Sequence, residues 1–169
     1  VPEKKSLKLS ISIGNGATQD IYRPIAVQSE YPVQSLDISK IQLFKRQDTL
    51  EFSQKFIFEA DSLHFRKYYI NHEWEEIMNY RLFLEPQAVT DIYGITNDTI
   101  NIAFKTQSLD HYGKLIVTLN NIEQGILLQL LNEKDNIIRI KQLKESGSTE
   151  FSYLEPGKYK LKVIFDNND

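Results

Sequence analysis

Cysteine is absent from the 169-residue chain. That excludes disulfides, thiolate metal sites and a cysteine nucleophile, but it assigns no redox compartment. Alanine is scarce, which removes the best helix former. No apolar run approaches the ~18–20 residues of a membrane-spanning helix. The formal net charge of −3 offers neither the basic footprint of a nucleic-acid surface nor an acidic tail. No G-x-S-x-G elbow, P-loop or G-x-G-x-x-G is present, and Gly14-Asn15-Gly16 reads as a turn. Val1 to Lys5 lack the apolar segment of a leader. The chain is expected to be either a mature piece or a fragment cut for expression. Asp166-Asn167-Asn168-Asp169 starts like a calcium loop but without its Gly and Glu, and reads as a frayed polar terminus.

Aromatic and branched side chains fill the space that alanine leaves. Nine Tyr and nine Phe, with many Ile and Val, favour strands over helices. Leu7 to Ile13 alternates apolar and polar strictly before the Gly14 turn, the pattern of a half-buried strand. Further strands are expected near 24–29, 41–46, 50–58, 64–70, 80–85 and 99–106. Asn71 to Asn79 (NHEWEEIMN) reads as a loop or a short turn of helix, too short to be stable alone. After the polar segment 107–112, strands are expected at 113–119, 126–131, 137–143, 149–154 and 158–165, joined by turns rich in Asn, Asp, Gly and Pro. That spacing suggests a β-sandwich. The chain thus divides at residues 1–107 and 112–169, and the second piece is marginal at that size. It is expected to pack on the first or on sequence beyond Asp169.

Tyr80 to Thr106 is the most informative stretch, a strand, a turn and a strand. Gly94 suits a positive φ and the Asp91 carboxylate suits an Asx turn. The hard oxygens of Asp91, Asn97 and Asp98 leave calcium as the alternative. His72-Glu73-Trp74-Glu75-Glu76 carries half of H-E-x-x-H, but the second His is missing, which argues against a zinc protease. Phe65, Tyr68, Tyr69 and Trp74 form the candidate ligand site if they are exposed, because aromatic faces stack on sugar rings; packing in the core is expected for at least half of them. Lys158, Lys160 and Lys162 alternate along one strand and read as a solvated face that discourages edge pairing.

The segments Gln28 to Val33, Pro86 to Thr99 and Ala103-Phe104-Lys105-Thr106 resemble a bacterial Ig-like domain of surface and envelope proteins. The departures are an aspartate-free bend after Pro86 and a long insertion around His64 to Asn79. Tyr153 to Tyr159 matches L-x-P-G-x-Y, the corner of many transthyretin (prealbumin)- and carboxypeptidase-regulatory-like sandwiches. Pro156-Gly157 sets the turn, and Tyr159 is placed to bond back across it. The order of the two modules is similar to that of lipoproteins of Bacteroidetes-type bacteria. Thr49, Ser62 and Thr99 lie in Asp-hydroxyl-aliphatic tripeptides similar to an O-glycosylation pattern of those bacteria; ordinary turn-to-strand entries give the same pattern.

The expectation is an all-β chain of two tandem sandwiches, the first Ig-like and the second smaller and prealbumin-like. The resemblance implies a non-catalytic module of a Gram-negative cell envelope, at the periplasmic face or cell surface. It would act as a spacer or protein-interaction unit; a glycan-binding accessory protein is the alternative. The partner is an envelope protein or a polysaccharide, membrane attachment comes only through an anchor outside this chain, and no cofactor is expected.

Overall fold

In the computed structural model, which describes residues 6–122 and 124–165, the alternating segments become strands. The chain divides into two contact-dense units, Val1–Ser108 and Leu109–Asp169. The divide falls inside the polar 107–112 segment. The Asp166 to Asp169 terminus lies outside the described residues.

The first unit holds β1 (Leu9–Ile11), β2 (Thr18–Gln19), β3 (Ile25–Ser29), β4 (Val33–Leu36), β5 (Ile41–Gln47), β6 (Leu50–Gln54), β7 (Ile57–Ala60), β8 (Lys67–Asn71), β9 (Asn79–Leu84), β10 (Val89–Asp91) and β11 (Ile100–Thr106). One sheet runs β1-β3-β8-β7 and the other β2-β11-β9-β5-β6. Lettered along the chain, these are A-B-E-D and A′-G-F-C-C′, the immunoglobulin-like order. Among the described residues, only β2 runs parallel to its neighbour, β11. The inward positions of both sheets, among them Ile25, Val27, Leu43, Ile70, Leu82 and Leu84, are buried in one apolar cluster. The expected strand at 50–58 is split at Lys55-Phe56 into β6 and β7, one in each sheet. Residues 64–79 are not an insertion. They supply β8, which pairs with both β3 and β7, and the corner that leads into β9.

That corner is held by side chains. Tyr80, fully buried at the start of β9, accepts the Glu75 N–H on its hydroxyl at 3.2 Å. The bond from hydroxyl back to upstream backbone is the tyrosine corner of Ig-like sandwiches. Thr106 Oγ1 donates to the Glu75 carbonyl at 2.5 Å and accepts from Met78 N–H at 2.9 Å.

The second unit holds β12 (Gly113–Leu119), β13 (Ile126–Asn132), β14 (Ile137–Leu143), β15 (Gly147–Leu154) and β16 (Tyr159–Phe165). A two-stranded sheet β12-β15 faces a three-stranded sheet β14-β13-β16. Leu128, Leu130, Phe151 and Leu154 are buried between them. The Tyr159 hydroxyl donates to the Glu155 carbonyl at 2.5 Å, bridging the Pro156-Gly157 turn as its sequence position implies. Arg139 and Lys141, on β14, donate to backbone carbonyls of β15. β15 therefore lies over β14, and β12 falls on the side of β16.

Candidate functional site

The four aromatics expected to form a ligand platform do not share a surface. Trp74 is only 8% exposed and lies in the core. Its ring centroid is 5.1 Å from that of Tyr80 and 5.6 Å from that of Phe104, and Nε1 donates to the Arg23 carbonyl at 3.0 Å. Tyr68 stacks on Phe58 at 5.4 Å and packs against the core. Tyr69, on the opposite face of β8, donates its hydroxyl to Asp61 Oδ2 at 2.9 Å. Phe65 is 72% exposed, on the turn before β8. A platform of all four rings does not form, while core packing of half of them does: residue parity on β8 separates the two tyrosines, and the indole fills the end of the sandwich. His72 sits edge-on to Trp74 at 4.8 Å, with Nδ1 2.8 Å from the Lys55 carbonyl oxygen.

The turn from β7 to β8 depends on Asp61. Oδ1 accepts the N–H groups of Leu63 at 2.8 Å and His64 at 3.0 Å. The Leu63 N–H, then the Tyr69 hydroxyl, bring the carboxyl from 3.8 to about 2. A depressed carboxyl stabilises the fold above its unfolded pKa and loses that contribution as pH falls through its folded one. The melting-temperature gap between parent and Asp61→Ala should therefore be full above about pH 4 and narrow towards about pH 2. A gap independent of pH would mean that the carboxylate charge plays no part in the turn.

At the loop end of the first unit, where the B–C and F–G connections meet, backbone bonds tie the two connections together. Each connection contributes a strand, and β10 pairs antiparallel with β4 through Val89↔Leu36, Thr90↔Ser35 and Asp91↔Val33. Bonds at both ends extend this ladder, Ile92 N–H to the Pro32 carbonyl at 3.0 Å and Asp37 N–H to the Ala88 carbonyl at 2.8 Å. Neither short strand is legible by alternation, since three or four residues give no period.

Asp91 and Asn97 each turn a side-chain oxygen to backbone N–H groups. Asp91 Oδ1 accepts the N–H groups of Tyr93 and Ile95, each at 2.9 Å, and Gly94 takes φ +76° in the same turn. Asn97 is buried and spends its whole amide on backbone. Oδ1 accepts Val89 N–H at 2.8 Å, and Nδ2 donates to the carbonyls of Glu85 and Asp98 at 2.9 and 2.8 Å. Asp98 is exposed. Among the described residues no group of three or more His, Cys, Asp or Glu side chains is placed to hold a metal ion. The side chains of Asp91 and Asn97 hold the loop together, because an interior backbone group must find a partner, and Asp98 contributes its backbone carbonyl.

What this frame presents is apolar and aromatic. Tyr31 meets Tyr93 edge to face, with ring centroids 5.3 Å apart. Tyr31, Ile92 and Tyr93 are exposed, Tyr93 by 67%. Beside them is a cavity of about 620 Å³, lined by Leu7, Lys8, Glu30, Tyr31, Asp91 and Tyr93 among others. The hydroxyls of the tripeptides, Thr49, Ser62 and Thr99, are all on exposed residues outside strands.

No family model matches the chain, and no curated protein matches it. Among solved structures, one described as a marsupial T cell receptor aligns over 95% of this chain and 100% of its own, at 11% identity and a TM-score of 0.29. A likeness that weak carries no argument. The Ig-like description of the first unit rests on its own strand order.

Proposed function

We propose that this chain is a non-catalytic protein-interaction module of a bacterial cell envelope, binding through the loop end of its first unit. The observation that carries the reading is the β4–β10 ladder beneath Tyr31, Ile92 and Tyr93. Exposed aromatics on a frame already fixed by backbone bonds lose little conformational freedom on binding, which is what a recognition surface needs. A spacer would not require such a surface. The envelope location, and a prealbumin-like identity for the second unit, rest on the sequence resemblances; the Tyr159 corner supports the latter.

Site-specific crosslinking tests the reading. A benzophenone amino acid replaces Tyr93, or as a control Ser10 on β1, in cells that express the protein. The expected result is one dominant protein adduct from position 93 that is missing from position 10. Identical adducts at both positions, or none at 93, would refute an interaction through this end.

A further inference from the structure

We infer that the open side of the second unit, between β12 and β16, accepts an extended strand of alternating apolar and acidic residues from a partner protein. The inference is independent of the loop end of the first unit.

Among the described residues, β16 pairs only with β13 and β12 pairs only with β15. On this side both sheets therefore end in unfilled edges. The inward side chains of β16 are Leu161, Val163 and Phe165, in register with Leu130, Leu128 and Ile126. The β13 residues are 0–2% exposed, yet Leu161, Val163 and Phe165 are 44%, 40% and 60% exposed. They face the interior of a sandwich whose upper layer is too narrow to reach them. On the far side Arg139 and Lys141 span from β14 to β15, so among the described residues the β16 side is the open one. A cavity of about 660 Å³, lined by Leu115, Leu154, Tyr159 and Leu161 with His111 and Glu155 at its rim, opens at one end of this cleft.

The shape is that of a sheet one strand short. A strand added to β16 satisfies its outward N–H and C=O groups, and alternate side chains of the newcomer fill the gap under β12. Seven residues of edge at about 3.3 Å each match a partner segment of comparable length. Charge decides what the other face of that segment carries. Lys160 and Lys162 point outward from the same strand. Lys160 is held at 2.6 Å by exposed Asp135, a surface pair worth little, and Lys162 has no ion-pair partner among the described residues. Two copies of this edge would bring lysine-bearing strands side by side, which is unfavourable for like charges. Acidic side chains on an incoming strand would instead lie beside both lysines.

The probe is a fluorescent peptide of about nine residues alternating valine and glutamate. Its counterpart carries lysine for glutamate. Both are titrated into the full chain and into a Lys160→Glu/Lys162→Glu variant, whose surface changes leave the core untouched. Anisotropy should show binding of the glutamate peptide and at least about ten-fold weaker binding of the lysine peptide. The variant should reverse that preference, and bound peptide should slow amide exchange in residues 159–165. Failure of the glutamate peptide to bind, equal binding of both peptides, or protection elsewhere would overturn the inference. Sedimentation showing a dimer whose protection maps to residues 159–165 would also overturn it, by making a second copy the occupant.

Discussion

Trp74→Ala is expected to destabilise the first unit by about 3–5 kcal/mol, the usual cost of deleting a buried indole. The corresponding drop in melting temperature is roughly 10–20 °C for a unit of this size. The ring packs against Tyr80, Phe104 and His72 at once, so several walls of the cavity left behind are themselves pinned. Tyr80 is held by its bond to Glu75 and His72 lies against the Lys55 carbonyl. Neither can relax far into the void. The lost Nε1–H bond adds little, because the Arg23 carbonyl keeps a second donor, Gln19 Nε2, at 2.9 Å. Thermal unfolding followed by circular dichroism measures the effect, and the parent's single tryptophan should emit to the blue and resist quenching by iodide. A variant that melts with the parent yet loses retardation by polysaccharides in affinity electrophoresis would return the indole to the surface and revive the glycan-binding alternative.

Asn97→Ala is expected to cost roughly 2–4 kcal/mol, with most of the loss in the loop end. The substitution removes three bonds and leaves Val89 N–H, which lies in a buried residue, without its partner. Amide exchange should accelerate at Val89 and Ile92, while the β9–β11 ladder keeps its protection. Asp98→Ala, at an exposed neighbouring position, should fall within about 0.5 kcal/mol of the parent. Calcium should leave the melting temperature of the parent unchanged. Were calcium to raise it, and were Asp98→Ala to abolish the rise, Asp91, Asn97 and Asp98 would be ligands rather than loop ties. Asn97→Asp keeps the acceptor for Val89 but puts an anion beside the Glu85 and Asp98 carbonyls, so it should rescue little.

Much of the framework is legible in the residues because a two-residue period needs only one buried face. Val27 and Ile25 alternate with Ala26 and Gln28 in the core of β3, and Leu82 and Leu84 alternate with Arg81 and Phe83 in β9. The L-x-P-G-x-Y pattern likewise placed Tyr159 against the Glu155 carbonyl, since a proline–glycine turn brings positions four apart within reach. Trp74 was the harder case. A lone aromatic among glutamates leaves exposure and core packing both open, and the partners brought by β9, next in the chain, and by the more distant β11 show that it is core.

The strand pattern, the turn at Asp91 and the division near residue 108 are properties of the sequence alone, because alternation, Asx chemistry and polar linkers act over a few residues. Tertiary structure alone decided the rest. It paired β4 with β10, spent the Asn97 amide on the backbone of Glu85 and Val89 as well as its neighbour Asp98, and buried the indole of Trp74. It also left the inner face of β16 uncovered. Each of these depends on which segments meet across the sandwich, and the width of one sheet relative to another is not written in the period of either.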